Sequence, residues 1–174
     1  MKNRFTPVTG LLLTLNILLL FSVTNALAED KIVVGYVEKV KIYPGKLYFH
    51  AKLDTGARNS SINAENIEEF EKDGEDWVRF DIVNRNNKRI TLELPQVREA
   101  KIKRHFGEKQ YRPVIELGIC LGGIYKEVDV SLVDREGFLY ELLIGRSYLR
   151  NDFLVDPGKS YTKLPSCKPG KKKE

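Results

Sequence analysis

Short apolar runs of period two mark out this chain. In Trp77–Val83 the positions Val78, Phe80 and Ile82 are apolar while Arg79 and Asp81 alternate with them, the pattern of a strand with one buried and one wet face. Tyr111–Ile119 repeats it through Ile115, Leu117 and Ile119, and Ile124–Val133 through Val128, Val130 and Leu132. Leu121-Gly122-Gly123 between those two runs predicts a hairpin. Nearer the start, Ile32–Val37, Val40–Tyr43 and Lys46–Leu53 are expected as strands, with Pro44-Gly45 turning the chain before the third. Helix is scarce. Ser60 or Asn63 is read as the cap of a short helix through Glu65, Ile67, Glu68 and Phe70, and Arg146–Asn151 has room for about one and a half turns. Many short strands divided by turn residues predict an all-β fold, a small closed or nearly closed barrel with one short C-terminal helix.

The ends add a location. Lys2 and Arg4 precede an apolar run from Leu11 to Phe21, which closes in Ala26-Leu27-Ala28. This is the pattern of a secretory signal cut after Ala28; an uncleaved anchor is the competing reading. The expected organisation is a signal peptide over 1–28, one domain over 29–164 and a basic, disordered tail over 165–174. The expected location is outside the cytoplasm, in the periplasm, with no stable membrane anchor after cleavage. Loss of Lys2 and Arg4 lowers the formal charge from +5 to +3, and Lys168, Lys171, Lys172 and Lys173 supply more than that remainder, so no nucleic-acid partner is expected. Cys120 and Cys167 both fall in the exported part, where a disulfide is permitted. Cys120 also sits in an apolar run and reads equally well as a buried thiol.

Candidate chemistry lies in Asp54-Thr55-Gly56-Ala57, which follows the strand ending at Leu53, and in Leu142-Leu143-Ile144-Gly145-Arg146 about ninety residues on. Attack of water on an amide needs one group to take a proton and another to protonate the carbonyl oxygen. Two carboxylates about 3 Å apart meet both needs, because they cannot both ionise. Glycine in such a turn permits a close approach, the threonine hydroxyl is available to brace the carboxylates, and the apolar strand ending at Ile144-Gly145 is expected to pack against the turn. The turn occurs once in the chain, so a dyad requires a two-fold homodimer that brings Asp54 against Asp54 of its mate.

Ala51–Ser61, Arg112-Pro113-Val114-Ile115, and Leu142–Arg146 followed by Phe153–Asp156 and Ser160-Tyr161 together resemble a bacterial retropepsin-like family. That family carries the label of ATP-dependent zinc proteases, and some members are associated with a glutamate ligase acting on a ribosomal protein. The resemblance covers about Val34 to Tyr161. It implies an acid-protease barrel, Asp54 as catalytic carboxylate, Thr55, Gly56 and Ala57 as its supporting turn, Ile144, Gly145 and Arg146 packed against that turn, homodimerisation, and a peptide or protein substrate. Zinc and ATP do not follow from the residues. His50, His105, Cys120 and Cys167 lack the close spacings of a zinc site, and no Gly-rich loop ends in Gly-Lys-Ser/Thr; no metal and no cofactor are expected. Three departures from retroviral relatives stand out. Ser147 follows Arg146 where those enzymes usually place Asp or Asn, the flap-like segment Glu71–Trp77 is charged and has the single glycine Gly74, and an exported chain would not meet a ribosomal protein.

Other readings compete. The commonest role of a turn aspartate is to bond its own backbone, and the alternative function is a non-catalytic periplasmic peptide-binding or regulatory module on the same fold. Arg98, Lys101, Lys103, Arg104, His105 and Lys109 are read as the solvated face of a hairpin, with an anion-binding role as the lesser possibility. His50 is expected on the exposed side of its strand, and Trp77 and Phe80 in the core.

Overall fold

The computed structural model describes residues 30–102, 110–133 and 139–168. The expected signal segment and the last lysines of the tail lie outside that range, as do Lys103, Arg104, His105 and Lys109. Among the described residues the strands are β1 (Ile32–Tyr43), β2 (Tyr48–Leu53), β3 (Ser60–Asn63), β4 (Glu65–Lys72), β5 (Glu75–Val83), β6 (Arg89–Ile102), β7 (Gln110–Leu121), β8 (Ile124–Val133), β9 (Leu142–Ile144) and β10 (Phe153–Ser160), and the helix is α1 (Arg146–Leu149).

Six strands close a barrel. The hydrogen-bonded order β1-β2-β9-β3-β8-β7 returns to its start because β7 also pairs with β1, Val40 opposite Leu121 and Tyr43 opposite Gly118. Closure removes the exposed strand edges of an open sheet. The expected runs Ile32–Val37 and Val40–Tyr43 are one continuous strand, β1, which pairs in turn with β10, β2 and β7 along its length. The alternation read from sequence is what fills the interior. Val40, Phe49, Ile62, Ile115, Leu117, Ile119, Leu132, Leu142 and Ile144 are all at most 1% exposed, and each such side chain contributes roughly 1.5–3 kcal/mol by leaving water. Phe80 joins this core, whereas Trp77 is half-buried.

The helix expected over Glu65–Phe70 is not formed. Ser60–Asn63 is a barrel strand, parallel to β8 and antiparallel to β9, and Glu65–Lys72 pairs with β5 in a hairpin turning at Asp73-Gly74. Asn66 adopts φ +51, a left-handed conformation that an α-helix does not accommodate, beside a register shift between Glu65 and Glu68. Cross-strand bonds replace helical ones: Arg79 meets Glu68 and Glu93, and Arg89 meets Glu65 and Asp81.

At the base of this hairpin the Asp81 carboxyl is held below its ordinary range, first by the Thr91 hydroxyl, then by Asn66 and Arg89. A carboxylate with a depressed folded pKa contributes stability that is complete above its unfolded value of about 3.9 and disappears as pH falls through the folded value. Acidification below about pH 4 therefore lowers the amide-exchange protection of the hairpin base while the barrel strands keep theirs. Equal loss of protection in both would contradict this assignment.

Past the expected boundary of 164 the chain stays fastened as far as Cys167. Glu38 is fully buried. Its Oε1 accepts hydrogen bonds from Gly35 N (2.7 Å), Thr162 N (2.9 Å) and Thr162 Oγ1 (2.6 Å), and its Oε2 from Lys163 N (3.1 Å). Ser166 N donates to Gly122 O at 2.7 Å, and Cys167 is disulfide-bonded to Cys120. The bridge settles the sequence alternatives for Cys120, which is both in the bridge and 0% exposed.

Candidate active site

β2 delivers Asp54 to the turn. The strand runs parallel to β9, with Leu53 opposite Ile144, and the ladder continues one step further because Asp54 N donates to Ile144 O at 2.8 Å. The carboxylate is then oriented by its own turn: Gly56 N and Ala57 N both donate to Oδ1, at 2.9 and 3.1 Å. These are the bonds of an ordinary Asx turn. They fall on one oxygen, so the plane of the carboxylate is fixed and Oδ2 is the oxygen the turn does not engage. Asp54 is half-buried, while Thr55 and Gly56 are exposed.

The second segment closes over this turn through backbone groups. A helix leaves its first N–H groups without partners inside the helix, and α1 has no side-chain cap at Gly145. Arg146 N instead donates to Ala57 O and Ser147 N to Arg58 O, both at 2.9 Å. Gly145 N donates to the hydroxyl of buried Ser60 at 3.2 Å. From the same segment Arg146 Nη1 donates to Thr55 O (2.9 Å) and Gly56 O (2.8 Å), so one guanidinium ties down two successive peptide carbonyls of the turn. Gly145 permits the approach. A β-carbon there would lie 2.5 Å from Asn59 O, a backbone atom that has no room to retreat.

Tyr148 anchors α1 to the barrel. Its ring is fully buried and stacked on Phe153 at 5.7 Å. Its hydroxyl accepts from Leu121 N at 3.1 Å and donates to Ile124 O at 2.9 Å. Burial pushes this phenol far above its ordinary pKa, against the smaller opposing effect of the Leu121 amide, and keeps it a neutral donor.

The structure thus brings together Asp54, Thr55, Gly56 and Ala57 with Ile144, Gly145 and Arg146. Ser60 and the carbonyls of Ala57 and Arg58 complete the arrangement. A hydroxyl four residues past Gly56 is the one trace of these that the sequence carries. His50 is not fully exposed; its Nδ1 lies 2.9 Å from the hydroxyl of Tyr161. Three surface hollows of about 490, 360 and 250 Å³ are lined by other residues, and Asp54 lines none of the three. Among the described residues, no three His, Cys, Asp or Glu side chains gather as a metal site would need.

Residues 33–166 match the family model described as the retropepsin-like aspartic endopeptidase RimB. Two curated relatives, each named "Probable alpha-L-glutamate ligase", come from Shewanella pealeana, 37% identical over 140 residues, and Desulfotalea psychrophila, 30% identical over 139 residues. The matches cover 78% and 70% of this chain, and this chain spans 30% of the length of each relative. Among solved structures, the Legionella pneumophila protein Lpg0085, titled as of unknown function, superposes with a TM-score of 0.66 at 36% identity, covering 76% of this chain and 98% of that one.

Proposed function

Since the chain belongs to the RimB-like family of retropepsin-like aspartic endopeptidases, we propose that it is an exported peptidase whose active site forms when two copies bring their Asp54 side chains together. The observation that carries this reading is the orientation of Asp54. Its Oδ1 is held by two amides, and its turn is braced by a distant segment yet lies open at the surface. One acid per chain is insufficient for the chemistry, and an isologous pairing supplies the second.

In the paired site, one Asp54 is ionised and its mate protonated. The ionised carboxylate takes a proton from water as the oxygen attacks the peptide carbonyl, and the protonated one gives its proton to the carbonyl oxygen. The resulting tetrahedral gem-diol collapses with cleavage of the C–N bond. A hydroxyl proton passes to a carboxylate, the nitrogen receives a proton from the pair, and the products are an acid and an amine with one shared proton restored. Arg146 holds the turn carbonyls throughout. The ligase name of the curated relatives belongs to proteins of which this chain covers 30%, and no ligase role is proposed for this chain.

The test is sedimentation of the chain with and without a hydroxyl-bearing transition-state mimic of peptide hydrolysis. Such mimics bind about 10²-fold or more tighter than substrates, so the mimic should shift the mass to that of a dimer and inhibit cleavage, with an activity maximum below neutral pH. A monomer that cleaves peptides at every concentration would overturn the shared site.

A further inference from the structure

The outer face of β1 and β2 carries cations that the peptidase chemistry leaves unused. Lys39 lies opposite His50 in the strand register and Lys41 opposite Tyr48. Beside them opens the hollow of about 250 Å³, lined by Lys39, Lys46, His50, Arg85 and Lys88, and no acidic residue lines it. Among the described residues, ion pairs involve Arg79, Arg89, Arg98, Lys126 and Lys159. None of the four lysine and arginine side chains of the hollow reaches a carboxylate of a described residue. Lys39 instead lies over the Tyr48 ring, 5.6 Å from its centre.

A built turn forms one wall. Asn84 is 8% exposed. Its Oδ1 accepts from the N–H groups of Asn86 and Lys88, each at 3.0 Å, and its Nδ2 donates to Tyr48 O at 3.2 Å. Asn84 N also donates to Lys88 O at 3.1 Å. The backbone that carries Arg85 and Lys88 is thereby locked to the strand that carries Tyr48 and His50, so the cations are gathered by structure.

Like charges gathered at one site repel one another, and no acid stands among the described residues that line this hollow to offset that. A single carboxylate would leave most of that charge uncompensated. A phosphate group carries a charge of about −1.5 to −2 at neutral pH with three acceptor oxygens, which suits a hollow lined by an arginine and three lysines. We propose that this hollow binds a phosphate group, either free or displayed on a lipid headgroup. Asp54 lies four positions beyond His50, about 13 Å at the usual strand rise, so the bound anion would not touch the proposed catalytic acid.

The test follows the amide signals of Tyr48, Arg85, Asn86 and Lys88 while the full chain is titrated with inorganic phosphate, ionic strength being held constant with chloride. In parallel the chain is sedimented with phosphatidylcholine vesicles containing or lacking phosphatidic acid. The triple variant Lys46→Gln/Arg85→Gln/Lys88→Gln should weaken binding at least about tenfold. The same loss of charge at Lys31, Lys101 and Lys168 should change it by less than about twofold. Saturable phosphate binding with that variant pattern supports a free phosphate ligand. Binding confined to phosphatidic acid vesicles, with the same pattern, supports the headgroup. Asn84→Ala keeps every charge and loosens the turn, so it should weaken whichever binding is seen. Equal losses in both triple variants would mean diffuse attraction and would overturn the proposal. So would binding of neither probe, or a glutamate oligopeptide occupying the hollow where phosphate does not.

Discussion

Asp54→Asn should lower the rate of peptide hydrolysis by at least about 10³-fold while leaving the fold intact. The carboxamide oxygen can accept from Gly56 N and Ala57 N as the carboxylate Oδ1 does, so the loss reports chemistry and not a broken turn. Unfolding free energy should change by less than about 1 kcal/mol. Mixing the variant with the parent before assembly sharpens the result. If two chains share one dyad, only parent–parent pairs act, and activity falls with the square of the parent fraction; if each chain acts alone, it falls linearly. A variant as active as the parent would remove Asp54 from the mechanism, and a linear mixing curve would remove the shared site.

Glu38→Ala should cost roughly 4 kcal/mol of unfolding free energy, because three amides and one hydroxyl lose their buried acceptor together. Gly35 N, Thr162 N, Thr162 Oγ1 and Lys163 N all converge on this one side chain. Glu38→Gln should cost less, since its oxygen can take the Oε1 position and keep three of the four bonds while its NH₂ faces Lys163 N. Reduction of the Cys120–Cys167 bridge is a separate loss: with a sequence separation of 47, loop-closure entropy gives about 4 kcal/mol. Denaturant midpoints at unchanged slope would measure each. Both act on the same terminal segment, so reduction and Glu38→Ala together should deviate from additivity. Strict additivity, or a negligible cost for Glu38→Ala, would mean the terminal segment is not held as a unit.

The legibility of the chain follows from where each element's bonding partners lie. β8 begins and ends where its alternation and the Gly122-Gly123 turn put it, since one strand's inward face is a local property. The Glu65–Phe70 segment misled because glutamates spaced along a polar run look helical on their own. What makes them a strand is the backbone ladder to β5, with Phe70 opposite Trp77 and Glu68 opposite Arg79, a pairing that also puts Arg79 and Arg89 beside Glu68 and Glu65 at separations of 11 and 24 residues. At the site, the two motifs were visible as residue types. The bonds joining them run from Arg146 N and Ser147 N to the carbonyls of Ala57 and Arg58, and backbone bonds leave no mark on residue identity. Glu38 was hidden differently: one acid in a strand of valines shows no sign of whether it is buried or wet.

β9 is three residues long and sits between β2 and β3, which come about eighty to ninety residues earlier in the chain. Until Ile144 arrives in register, Asp54 N lacks its acceptor and the Asp54 loop lacks the guanidinium that ties down its carbonyls. Contacts so distant in sequence carry a large closure entropy and form slowly. A chain still emerging during synthesis, or one trapped short of ring closure, therefore presents an Asp54 whose turn is unbraced, and on the proposed reading any peptidase activity waits until the ring has shut.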